Sequence, residues 1–168
     1  MKKKLTRKQQ LAVDIAKDII KWIGEKKLRI KDGLTYLSGS LPNCEIRSED
    51  QVQPHLPLLR KNCDVCAKGA IFLSYIELKN KITFDSLDFV GVGFSKSVDA
   101  SEETICDLLG GAFSKENLDL IESAFEKHRG FYGEEKRAYD FGRKYRSPRK
   151  RMIAICENII KNKGEFKP

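Results

Sequence analysis

Between residues 139 and 151 the chain interleaves cations with aromatic rings: Tyr139, Arg143, Lys144, Tyr145, Arg146, Arg149, Lys150 and Arg151, with Phe141 among them. Guanidinium and ammonium groups take phosphate oxygens, and aromatic faces take stacked bases or cations. The chemistry this pattern suits is the binding of an anionic ligand, either a nucleotide or nucleic acid. An electrostatic oddity adds to it. Ser147 caps a helix with Pro148 at its first position, so Arg149, Lys150 and Arg151 fall in the first turn. Cations there oppose the helix dipole, by up to about 1 kcal/mol each. Lys2, Lys3, Lys4, Arg7 and Lys8 crowd the start of the first helix in the same way. A bound anion would relieve the conflict, because helix N-terminal amides and arginine forks both favour phosphate. A solvated basic surface matched by the chain's own acidic middle segment is the competing explanation.

Other candidate chemistry is thinner. Cys63 and Cys66 form the one Cys-x-x-Cys. Placed at a helix N-terminus, its first thiol would be acidified as in redox proteins. With Cys44 and His55 it could complete a four-ligand zinc site, although no second close pair exists. Ordinary packing is preferred over both, and no cofactor is expected. The histidines, His55 and His128, bear no spacing relation to each other, and His128 suits the last turn of a helix. Asp99, Glu102, Glu103 and Asp107 gather at a helix start, where carboxylates favour the dipole. Gly91-Val92-Gly93-Phe94 lacks the remaining residues of a phosphate loop. No nucleophile–base–acid set emerges, and a catalytic role is not expected.

These residues need positioning elements, and the apolar periodicity supplies them. Thr6 and Gln9 form a capping-box pattern ahead of a stripe of Val13, Ile15, Ala16, Ile19, Ile20 and Ile23. A second helix is expected from Asp64 to about Lys79, small-sided at first through Cys66, Ala67, Gly69 and Ala70. A third starts near Asp99 or Ser101 and stops at Gly110-Gly111. A fourth is capped by Ser114 and runs through Leu118, Ile121, Ala124 and Phe125 to Gly130. The last begins at Ser147 and turns Met152, Ile153, Ile155, Cys156, Ile159 and Ile160 inward. Residues 28–38, with the Asp32-Gly33 turn, suggest a small β-hairpin. Pro42, Pro54 and Pro57 disfavour long regular structure between 39 and 62, and 82–98 reads as a connector. The expected fold is mainly α: one helical domain over residues 1–168, a bundle of about five helices.

With 168 residues, 40% hydrophobic and 33% charged, the chain has the composition of globular material and is long enough for one core. No apolar run approaches the roughly 18 residues of a membrane span. The basic start leads into an amphipathic stretch unlike a signal peptide. Five cysteines at irregular spacing do not resemble a secreted disulfide framework. A cytoplasmic location is therefore expected. The net charge of +8 is unevenly spread: residues 1–31 carry +8 and 131–168 carry +6, against −1 over 32–80 and −5 over 81–130. Basic ends and an acidic middle point to an anionic partner, nucleic acid or an acidic protein.

Three stretches together also look familiar. Cys63-Asp64-Val65-Cys66-Ala67-Lys68-Gly69-Ala70, residues 113–126 (FSKENLDLIESAFE) and residues 152–160 (MIAICENII) resemble an uncharacterised family of small bacteriophage and bacterial proteins. The likeness runs from about residue 60 to the end. It implies a phage or mobile-element origin and carries over no catalytic residue. In that setting an anion-binding protein would act in counter-defence, sequestering a nucleotide signal or blocking a nucleic-acid-handling system. The alternative is a protein–protein interaction module that docks on an acidic host or phage protein.

Overall fold

The computed structural model describes residues 4–33, 37–38, 64–79, 109–127 and 132–168. The fold is mainly α, with five helices among these residues and a small β element. The expected helix over 99–111, the connector at 82–98 and the proline-punctuated segment lie outside the described residues, apart from the last few positions of that helix.

Helix α1, Arg7–Gly24, forms as its caps dictate: the Gln9 amide donates to the Thr6 hydroxyl at 3.2 Å, and the Thr6 amide donates to Gln9 Oε1 at 3.0 Å. Its stripe of Ala12, Ile15, Ala16, Ile19 and Ile23 is buried. Helix α2, Ala67–Lys79, is enclosed on most sides, as its small first turns lead one to expect. It starts later than the apolar pattern suggests. Asp64–Val65 is a strand, and Cys66 closes the gap with its sulfur accepting from the Gly69 amide at 3.5 Å.

Helix α3, Lys115–Glu126, starts on the Ser114 cap and stops before Gly130 because Lys127 turns into the left-handed region at φ 57°. Helix α4, Gly133–Gly142, has no counterpart in the apolar periodicity. Only Ala138 and Gly142 are buried in it, and Tyr132 offers no capping side chain. Helix α5, Pro148–Lys161, begins on Ser147 with Pro148 in its first turn as expected, and buries Met152, Ile155, Cys156 and Ile159. Ile153 and Ile160 are only partly covered.

The expected hairpin is corrected. Strands β1 (Arg29–Ile30) and β2 (Leu37–Ser38) do not pair with each other. Strand β3 (Asp64–Val65) lies between them, parallel to β1 and antiparallel to β2. The Asp32-Gly33 turn is committed elsewhere, which explains the arrangement. The Asp32 carboxylate receives Arg151 of α5 at 3.3 Å, and the Gly33 amide donates to Glu126 of α3 at 2.6 Å. Val65 is fully buried and Asp64 meets Arg29 at 2.7 Å, so β3 is held at the centre.

Helix directions decide where charge collects. The start of α5 lies against the end of α1, where Arg149 Nη2 donates to the Ile23 carbonyl at 2.9 Å. The far end of α5 returns to the start of α1, with Gly164 seated against the Gln9 backbone. The two helices are therefore antiparallel. Helix α3 is antiparallel to α5 as well: Arg151 reaches the Phe125 carbonyl, and Asn117 exchanges paired hydrogen bonds with the Phe166 backbone. Helix α4 runs alongside α3 in the same direction, with Gly142 packed on the Ala124 carbonyl. The carboxyl ends of α1, α3 and α4 thus meet at one pole, together with the amino end of α5.

A methyl group at Gly142 would overlap the Ala124 carbonyl, and backbone cannot rotate out of the way. Gly142→Ala is expected to destabilise the protein by about 1–3 kcal/mol, read as a lower urea midpoint at unchanged slope.

Candidate nucleic-acid interface

Helix geometry first separates the two basic ends of the sequence. Antiparallel packing puts the start of α1, with exposed Lys4, Arg7 and Lys8, at the pole opposite residues 143–151. A helix of 18 residues spans about 27 Å at 1.5 Å per residue. The two clusters do not form one patch. Lys2 and Lys3 lie outside the described residues. Near Lys8 the Glu116 carboxyl is held below its ordinary range, first by its backbone amide, then by the Ser114 hydroxyl and neighbouring lysine charge.

At the other pole the six cations of the candidate set divide. Arg151 is fully buried, and its guanidinium donates to the carbonyls of Phe125, Tyr145 and Arg146 and to Asp32. It also lies over the Phe125 ring, 5.6 Å from the centroid. The expectation that Arg151 contacts a ligand is therefore corrected: it ties α3, α5 and the β1 turn together. Arg149 keeps an exposed side chain but spends one nitrogen on the Ile23 carbonyl.

This placement resolves the electrostatic oddity for these two residues. A cation at the start of α5 opposes that helix's dipole, yet stands at the carboxyl ends of α1 and α3, where it binds terminal carbonyls. In an antiparallel bundle the amino end of one helix is the carboxyl end of its neighbour. No anion is required to explain Arg149 and Arg151.

Arg143, Lys144, Arg146 and Lys150 are different. All four are exposed. Arg143 meets Asp140 at 3.6 Å and covers the Tyr139 ring at 5.9 Å, and Lys144 lies 5.8 Å from the Phe141 ring centroid. Arg146 and Lys150 have no ion-pair partner among the described residues. The tyrosines are not open platforms. Tyr145 packs against Phe141 at 5.7 Å, and Phe141 in turn meets the buried Phe166 edge-on at 5.2 Å. With Tyr139 under Arg143, both rings already have a neighbour, which weakens base stacking as a mode of contact.

The metal and redox readings gain nothing here. Cys44, His55 and Cys63 lie outside the described residues, as do His128, Gly91, Gly93 and the cluster from Asp99 to Asp107. Cys66 and Cys156 are both buried, and burial pushes the Cys156 thiol far up. Among the described residues no group of three His, Cys, Asp or Glu side chains is placed to hold a metal. No helix among them is long and apolar enough to cross a membrane. Sequence reasoning missed Lys26 and Lys127, which the helix ends bring beside Arg149 and Arg151. Their signal was weak, since a lysine after a helix is an ordinary surface residue. No family model, curated protein or solved structure matches the chain.

Proposed function

We propose that the protein is a non-catalytic binder of nucleic acid that holds backbone phosphates on Arg143, Lys144, Arg146 and Lys150. The observation carrying this reading is that Arg146 and Lys150 reach the surface without an ion-pair partner among the described residues, at a pole where neighbouring arginines are consumed by the fold. Four surface cations suit an extended polyanion better than a mononucleotide, which needs enclosing walls to bind tightly. The covered tyrosine faces point the same way, towards phosphate contacts over base stacking. In a phage setting such a protein acts in counter-defence, by masking nucleic acid or blocking the machinery that handles it.

A stabilising role competes with this. Cations beside three helix carboxyl ends are favourable by themselves. Charge reversal separates the two. Arg146→Glu with Lys150→Glu is expected to weaken binding of a labelled 20-base-pair duplex about 100-fold or more at 0.1 M salt. The melting temperature should fall by no more than about 3 °C, since neither side chain is buried. For the unaltered protein these four cations alone should contribute about −3 to −4 to the slope of log affinity against log salt. Loss of stability with no loss of affinity would assign these cations to the fold.

Docking on an acidic protein uses the same cations and is the second reading. One feature favours a protein contact: Tyr132 is 87% exposed. It sits, however, in a groove with Glu116, Asp119, Glu134 and Glu135, the wrong sign for an acidic partner. Nucleic acid is therefore preferred.

A further inference from the structure

Three non-glycine residues among those described adopt positive φ: Lys26 at 56°, Lys127 at 57° and Lys163 at 59°. Each follows a helix, where glycine takes the left-handed conformation without the steric penalty of a Cβ. All three are lysine, and two of them stand at the basic pole. The Lys26 amide donates to the Ile23 carbonyl at 3.1 Å, the same oxygen that Arg149 holds. Lys127 caps α3 two residues beyond Phe125, whose carbonyl Arg151 holds. Both side chains are exposed, and neither has an ion-pair partner among the described residues. Lys163 follows α5 and lies at the opposite pole, one residue before the Gly164 that packs on Gln9.

We infer that Lys26 and Lys127 belong to the phosphate-binding surface, extending it from the 143–150 segment across the carboxyl ends of α1 and α3. The inference rests on the nucleic-acid reading and deepens it. The ligand is held by its backbone over the pole where three helices end, with charges drawn from distant parts of the chain. At Lys26 and Lys127 the sequence keeps a cation where glycine would be less strained. Attraction to the helix dipole explains all three lysines equally. Phosphate binding distinguishes two of them from the third.

The test uses the full chain and the labelled 20-base-pair duplex. Lys26→Gly and Lys127→Gly should each weaken binding about 5- to 10-fold at 0.1 M salt and reduce the salt slope by about one. Their melting temperatures should hold or rise by up to about 3 °C, as strain is relieved. Lys163→Gly should shift stability in the same direction and leave affinity unchanged. Lys26→Gln and Lys127→Gln, which remove charge and keep a long side chain, should reproduce the loss of affinity. Affinities of the Lys26 and Lys127 variants equal to that of the Lys163 variant would overturn the inference while the nucleic-acid reading stands. No binding by the unaltered protein would overturn both.

Discussion

Replacing Arg151 with methionine is expected to cost about 3–5 kcal/mol of stability, enough to lower the melting temperature by roughly 6–20 °C. The side chain is fully buried, and its loss would strand the carbonyls of Phe125, Tyr145 and Arg146 and leave the Asp32 carboxylate without its partner. The Phe125 contact is buried and those to Tyr145, Arg146 and Asp32 are partly so, and a backbone carbonyl has no rotamer that turns it to water. A buried carbonyl left unpaired costs about 1–3 kcal/mol, and the rest of the loss comes from the partly buried contacts and the ion pair to Asp32. Arg151→Lys should recover only part of the loss, because one ammonium cannot reproduce a planar fork aimed at four acceptors. Urea denaturation of the three proteins decides it. A cost under about 1 kcal/mol for the methionine variant would mean that the guanidinium does not hold the helix ends.

The second large effect concerns Lys68, and its sign depends on which partner is removed. Lys68 on α2 is buried, and its ammonium meets Glu122 at 2.5 Å and Asp119 at 3.5 Å, both on α3. The carboxylates are 36% and 52% exposed, whereas the lysine side chain is 2% exposed. Lys68→Met removes the costly buried charge and leaves two acids that water can reach, so a loss below about 1.5 kcal/mol is expected. Asp119→Asn with Glu122→Gln leaves the ammonium inside without either carboxylate, and about 3–5 kcal/mol should be lost. Adding Lys68→Met to that double variant should restore most of it. Equal losses for the lysine and carboxylate variants would show that desolvation of the ammonium does not control this pair.

Elements whose sequence carries both a cap and a stripe are readable in advance. Helix α1 has Thr6 and Gln9 ahead of six buried positions, and α5 has Ser147 and Pro148. Helix α4 has neither. Its inward face is Ala138, Phe141 and Gly142, one large side chain between two small ones and too little to register as apolar periodicity, and its start lacks a capping side chain. Strand β3 is hidden for another reason: two residues flanked by cysteines continue the apolar pattern of the helix behind them. The sheet order depends on where the Asp32-Gly33 turn is tied, and its ties come from residues about ninety and more positions away.

The candidate interface is half legible. Its surface members are those of the cation–aromatic run. Arg151 does leave a trace, since it lies four residues before Ile155 and eight before Ile159, on the buried stripe of its own helix. Its place among three consecutive cations masks that spacing. Lys26 and Lys127 leave only a weak trace, because a left-handed backbone is a property of the folded chain.

Antiparallel packing of α1 on α5 also bears on how the molecule is made. Among the described elements α1 has as its main neighbour α5, which follows it by more than a hundred residues. Contacts this distant along the chain slow folding. On the ribosome the part of α1 that α5 covers waits for that partner until α5 emerges, which leaves apolar surface for chaperones that shield hydrophobic helices.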